Sequence, residues 1–135
     1  EPFLNPRFLE MVSIANKEGV FTSTSTNAHY LDEERVKQIL ASGLKQLIIS
    51  MDGITQEVYQ QYRIGGNLEK VQEGLGNLIS ERKRQGKLFP RIVLQFLVTG
   101  QNEHQIPELK KWAKALEVDE LQLKSKSMIL KMAPN

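Results

Sequence analysis

Two short apolar runs constrain the fold of this chain most: Leu47-Ile48-Ile49-Ser50-Met51 and Ile92-Val93-Leu94-Gln95-Phe96-Leu97-Val98. A strand with one wet face alternates apolar and polar residues, whereas a near-continuous run predicts a strand covered on both faces. The stretches between and around these runs carry apolar residues at helical spacing. Strands that alternate with helices need right-handed crossovers and therefore form a parallel sheet. The expected class is α/β, built from alternating β/α units.

The remaining elements follow from local signals. Asn5-Pro6 predicts a helix start, since Asn accepts from an orphan N–H and Pro gives up a donor that has no partner there. Phe8, Leu9, Val12 and Ala15 follow on one face, and Gly19 supplies a left-handed stop. Val20 to Thr26 is rich in β-branched residues and predicts a strand. Asp32 caps a second helix with Val36, Ile39 and Leu40 inward, closed by Gly43. Thr55 caps a short helix carrying Val58, Tyr59 and Tyr62, and Asn67 caps a longer one with Leu68, Val71, Leu75, Leu78 and Ile79 on its stripe. Ile106-Pro107 begins another helix, with Leu109, Trp112, Ala113 and Leu116 inward. Leu121 and Leu123 mark a last strand. Residues 1–125 read as one domain without a linker, and 126–135 as an irregular tail.

Composition narrows the function classes. A net charge of +2 gives no basic surface to argue for nucleic acid. No apolar run is long enough to span a bilayer, and no secretory pattern opens the chain, which favours the cytoplasm. The chain has no cysteine, so it offers no disulfide, no thiolate nucleophile and no ligand for an iron–sulfur cluster. His29 and His104 are not at metal-ligand spacing. Gly65-Gly66 lacks the strand-before, helix-after context of a dinucleotide fingerprint.

In parallel α/β sheets, ligands bind at the carboxyl ends of the strands. Those ends are polar here: Ser25-Thr26-Asn27, Ser50-Met51-Asp52-Gly53, Thr99-Gly100-Gln101-Asn102 and Lys124. Taken singly, such residues are ordinary caps and turns, and Asp52-Gly53 reads as turn chemistry. Together at successive strand ends they predict a polar ligand pocket. Both a doubly wound sheet and an arc of a β/α barrel fit this pattern.

Several of these segments resemble motifs of the radical S-adenosylmethionine (radical SAM) superfamily. Glu1-Pro2-Phe3-Leu4-Asn5-Pro6 resembles the tail of its Gly-Gly-Glu-Pro segment. Ser25-Thr26-Asn27 resembles its Ser-Thr-Asn-Gly segment, with Ala28 in place of the usual Gly. Ile49-Ser50-Met51-Asp52-Gly53 resembles Ile-Ser-Ile-Asp-Gly, and Tyr62-Arg63-Ile64-Gly65-Gly66 resembles the Arg-x-Gly-Gly stretch that follows. The style is that of the branch bearing C-terminal SPASM extensions, which bind further iron–sulfur clusters.

The resemblance implies an incomplete (β/α)6 TIM-like barrel, with the first strand and the Cys-x-x-x-Cys-x-x-Cys loop expected upstream of Glu1. It implies a parent enzyme, an oxidoreductase that cleaves S-adenosylmethionine reductively at a [4Fe–4S] cluster. The resulting 5′-deoxyadenosyl radical would abstract hydrogen from a small-molecule or peptide substrate, as in peptide or protein maturation. This chain alone is expected to be inactive and to hold neither cofactor. The cofactor-binding residues so implied are Glu1, Ser25, Asn27, Ser50, Arg63, Gln95 and Val98. Glu1 belongs to the segment that receives the methionine amino group, although as a terminal residue it is expected to fray. Ser50 would bond the ribose or the methionine carboxylate, and Arg63 would pair with that carboxylate. Ser25 and Asn27 would point to the same site, Gln95 into the lumen, and Val98 into an adenine wall. The competing reading is a non-catalytic α/β module that binds a nucleotide or a protein. A cut barrel also leaves open sheet edges, which predicts a homo-oligomer.

Overall fold

The computed structural model describes residues 1–125. The expected tail over 126–135 lies outside the described residues. A 3-10 turn over Pro2–Leu4 leads into α1 (Phe8–Lys17), followed by β1 (Ser23–Thr26), α2 (Glu33–Ser42), β2 (Gln46–Ser50), α3 (Gln56–Tyr62) and α4 (Leu68–Arg84). Next come β3 (Arg91–Val98), a 3-10 turn over Glu103–Gln105, α5 (Ile106–Leu116) and β4 (Glu120–Ser125). Among the described residues no helix is long and apolar enough to cross a membrane.

The predicted caps form. Asp32 accepts from the Arg35 amide at 2.8 Å and Asn67 from the Lys70 amide at 3.1 Å. Thr55 accepts from the Val58 amide at 3.5 Å, and Gly43 ends α2 at φ 81°. Two boundaries differ from expectation. Asn5 accepts from the Arg7 amide at 3.0 Å, but this closes a turn ahead of α1 rather than the helix itself. The first strand is shorter than its β-branched run, because Val20 and Phe21 lie outside the ladder and are exposed. α5 stops at Glu117, a non-glycine residue at φ 63° that no sequence signal marked. Ala28 also adopts φ 63°, a left-handed conformation that glycine takes without penalty.

The four strands are parallel and lie in the order β1-β2-β3-β4. A doubly wound sheet reverses its strand order at a switch point, whereas a barrel adds each strand beside the last. The order therefore selects the barrel arc. The register divides the sheet into two faces. Thr26, Leu47, Ile49, Ile92, Leu94 and Phe96 share one, and Leu47, Ile49, Ile92, Leu94 and Phe96 are fully buried there with the helical stripes. Burial of each such side chain stabilises by about 1.5–3 kcal/mol.

Ser25, Ile48, Ser50, Val93, Gln95, Leu97, Gln122 and Lys124 share the opposite face, where Val93 and Leu97 are buried, Ser25 is exposed and the rest are half-buried. The expectation of strands buried on both sides is thus corrected for β2, whose burial alternates strictly along the strand. Its apolar run lines a packed layer on one side and the concave interior of an open barrel on the other. That is also why Gln95 sits within an apolar strand at only partial burial.

The amino end of the sheet is closed by Asp119. Its carboxylate accepts from the Ile92 amide at 2.7 Å and from Arg82 Nη1 at 2.6 Å, fixing α4 to the start of β3.

Candidate functional site

The carboxyl rim is assembled by three buried polar side chains. Asp52 follows β2 and is 2% exposed. Its Oδ1 accepts from the Leu97 amide at 2.9 Å and its Oδ2 from Arg63 Nε at 2.7 Å. Asn102 Nδ2 donates to the Asp52 carbonyl at 3.1 Å and the Leu97 carbonyl at 2.8 Å, while its Oδ1 accepts from the Thr99 amide at 2.8 Å. Gln105 accepts from the Ile54 amide at 2.9 Å and donates to Thr55 Oγ1 at 3.0 Å. The loops after β2 and β3 are therefore one hydrogen-bonded unit. The reading of Asp52 as turn chemistry is corrected: its carboxylate is the buried joint between two strands and the end of α3. Gln105 was missed as a rim residue, and Asn102, placed at the rim within Thr99-Gly100-Gln101-Asn102, was given no role of its own there. The signal for Asn102 was a polar residue three positions past Thr99, but nothing local distinguished it from a solvated turn.

Glu1 is held rather than frayed. Its carboxylate accepts from Thr26 Oγ1 at 2.9 and 3.0 Å, from the Asn27 amide at 2.9 Å and from the Phe3 amide at 3.3 Å. With its oxygens so engaged, Glu1 straps the first segment to the end of β1. The next turn is pinned by His29. Its Nε2 accepts from the Asn67 amide at 2.9 Å, so the ring proton resides on Nδ1, 3.1 Å from the Asn27 carbonyl. Asn27 Oδ1 accepts from the His29 amide at 3.0 Å.

Between this turn and the α3–α4 loop lies an open pocket of about 630 Å³, lined by Asn27, His29, Tyr30, Tyr59, Arg63 and Lys70 among others. The Arg63 side chain is 32% exposed, and the Asp52 pairing takes only its Nε. Among the described residues its two terminal nitrogens take no hydrogen-bond partner, and the guanidinium carbon lies 5.5 Å from the centroid of the Tyr62 ring beside it in the pocket wall. Burial pushes the Tyr59 phenol above its ordinary range, opposed by the Arg63 charge.

The residues singled out by sequence fall into two groups. Asn27 and Arg63 line the rim pocket, and Glu1 binds the Asn27 amide. Ser25, Ser50 and Gln95 stand instead on the concave sheet face, where Ser50 and Gln95 are register neighbours. Val98 joins neither group. Its parity in β3 turns it to the helix side, where it packs against the core, and Leu97 is the residue on the concave face. Trp112 also packs against the core, as its helical position predicted.

An arc of parallel strands packed against helices, with polar groups and a pocket at the carboxyl rim, defines an α/β domain of the barrel type. The family model for the radical SAM superfamily matches residues 1–113. The chain belongs to that superfamily. It is 32% identical over 123 residues to the tungsten-containing aldehyde ferredoxin oxidoreductase cofactor-modifying protein of Pyrococcus furiosus, covering 88% of this chain and 33% of that protein. It is 28% identical over 108 residues to the mycofactocin maturase MftC of Mycobacterium tuberculosis, covering 80% of this chain and 26% of the maturase. The crystal structure of Streptococcus suis SuiB bound to S-adenosylmethionine superposes with a TM-score of 0.70 at 14% identity, covering 87% of this chain and 26% of SuiB. That likeness establishes the shared fold. The chain thus spans about a third or less of each protein it matches.

The donors at the rim suit the carboxylate at the methionine end of S-adenosylmethionine: the Arg63 edge and Lys70, set among the rings of Tyr30, Tyr59 and Tyr62. They do not suit a [4Fe–4S] cluster, which needs thiolates that this chain lacks.

Proposed function

We propose that this chain is the cofactor-holding arc of a radical SAM oxidoreductase of the SPASM-bearing branch, acting in cytoplasmic maturation of a peptide or protein. The observation that carries this reading is Arg63. Asp52 fixes its Nε and leaves a planar two-nitrogen edge in the rim pocket, the geometry that pairs with a carboxylate. On this reading Arg63 takes the methionine carboxylate. Ser50 and Ser25 supply hydroxyls on the concave face, Gln95 orients the ligand from β3, and the peptide carbonyls around Glu1 receive the amino group. Asn27 closes the pocket from the β1 side. In a complete enzyme a [4Fe–4S] cluster, held by thiolates that this chain does not provide, would supply the electron for cleavage of the cofactor. The names of the P. furiosus protein and of the mycobacterial maturase support a modifying or maturing role.

A second reading rests on the missing cysteines: by itself, the chain is a binding module for a nucleotide or a protein. Anaerobic reconstitution of the longer protein that carries these residues separates the two. Formation of 5′-deoxyadenosine under reduction is expected. Its absence in a cluster-loaded sample would leave the binding module standing.

A further inference from the structure

Tyr59 is placed with unusual constraint. A Cβ at Gly53 would lie 2.5 Å from the Tyr59 nitrogen, and one at Gly66 would lie 2.6 Å from Tyr59 Cε1 and 2.9 Å from its Oη. Both glycines are therefore needed for this ring to sit where it does. The ring is fully buried, yet Oη, itself buried, forms no hydrogen bond among the described residues. Buried hydroxyls normally find a partner, and phenylalanine would fill the same space without that cost. The one other buried orphan among the described residues, Thr22 Oγ1, belongs to a residue lining a cleft with no cation. Tyr59 instead lines the rim pocket beside two cations, Arg63 and Lys70. No carboxylate lines that pocket; the two that touch its lining residues are engaged, Asp52 on Arg63 Nε and the Leu97 amide, and Glu1 on Thr26 Oγ1 and the Asn27 amide. A phenol donor, a guanidinium edge and an ammonium around one opening suit an oxyanion. Burial keeps the phenol protonated and so able to donate.

We propose that Tyr59 Oη is a ligand-contacting donor which, with the free edge of Arg63, seats an oxyanion in the rim pocket. This deepens, and for the identity of the ligand rests on, the reading of the rim as the cofactor pocket. The oxyanion is either the carboxylate of S-adenosylmethionine or an anionic group of a separate substrate.

The test titrates the reconstituted longer protein that carries these residues, with 13Cζ-labelled tyrosine, using S-adenosylmethionine, decarboxylated S-adenosylmethionine and inorganic phosphate at millimolar concentrations. Wild type is compared with Tyr59→Phe. If the cofactor carboxylate is the ligand, S-adenosylmethionine shifts the Tyr59 signal saturably. Tyr59→Phe then weakens its binding five- to tenfold and leaves the decarboxylated form unchanged. If phosphate shifts that signal and S-adenosylmethionine does not, the oxyanion seat stands and the cofactor assignment of Arg63 falls. A second readout is thermal unfolding, where Tyr59→Phe is expected to melt higher because it removes an unpaired buried hydroxyl. The proposal is overturned if no probe moves the Tyr59 signal, if Tyr59→Phe binds every probe as wild type does, or if it melts lower.

Discussion

Arg63 Nε donates to Asp52 Oδ2 at 2.7 Å across an unequal boundary, with the Asp52 side chain 2% exposed and the Arg63 side chain 32% exposed. The acid is structural and the base is presented. One residue anchors the rim, and the other carries the anchored charge to the pocket.

That asymmetry predicts different outcomes for two substitutions. Asp52→Ala strands the Leu97 amide and removes the partner of Arg63. It should cost about 2–3 kcal/mol, below the value for a fully buried pair because Arg63 keeps some solvent. Asp52→Asn keeps an acceptor for Leu97 and should cost roughly half as much. Urea unfolding reads both, and a loss under about 0.5 kcal/mol for Asp52→Ala would contradict the assigned role.

Asn102 faces two carbonyl oxygens with its Nδ2. Asn102→Ala should cost about 1–3 kcal/mol through unpaired buried carbonyls. Asn102→Asp should be worse, since it sets a buried carboxylate oxygen against them. Amide exchange at Leu97 and Thr99 should accelerate in both variants, and unchanged protection at those two amides would refute the coupling of the loops.

The two glycines around Tyr59 should respond unequally. At Gly53 an added Cβ meets the backbone of Tyr59 and Val58, which cannot move without shifting α3. At Gly66 it meets the ring of Tyr59 and the Arg63 carbonyl. Gly53→Ala should cost about 2–3 kcal/mol and Gly66→Ala about 1–2 kcal/mol, within the range of overpacking. Thermal melts that ranked them in the reverse order would show that the ring, not the helix start, is the rigid partner.

Acid should loosen the carboxyl end of α4. Hydrogen bonds from Arg84 and Gln85 hold the Glu81 carboxyl down to about 2, from an ordinary value of 4.5. A carboxyl lowered in the folded state contributes stability that is present above pH 4.5 and is lost as pH falls through about 2. Glu117, beside Lys83, and Glu120, beside Gln122 and Arg91, are lowered in the same sense. Carboxyl NMR should place the Glu81 midpoint near the low value in the folded chain, and Glu81→Gln should flatten the acid limb of a helicity titration. A midpoint at the ordinary value would remove the claim.

The sheet ends in β1 on one side and β4 on the other, with no further strand paired to either among the described residues. Parallel-sheet edges of this kind recruit other strands. Sedimentation of the chain should show concentration-dependent association, and a lysine at an exposed position of the edge strand β1, Ser23→Lys, should weaken it. A monomer at all concentrations would count against edge pairing.

Much of this architecture was determined by the sequence alone. The caps at Asp32, Thr55 and Asn67 and the stop at Gly43 are satisfied within a few residues, so short-range chemistry predicts them. The helical stripes and the apolar strand cores follow from periodicity. The motifs around Ser25, Ser50 and Arg63 were legible because each occupies a strand end or the loop just after a helix. Only the tertiary structure decided the rest. Strand order chose a barrel arc over a doubly wound sheet, because local patterns do not record which strands become neighbours. Parity in β3 set Val98 against the helices and Leu97 toward the concave face, since a one-residue step reverses a strand side chain. Long-range hydrogen bonds turned Asp52 from a turn residue into the joint of the rim and drew Asn102 and Gln105 into it. Those bonds join residues about fifty positions apart, a separation that no local sequence signal spans.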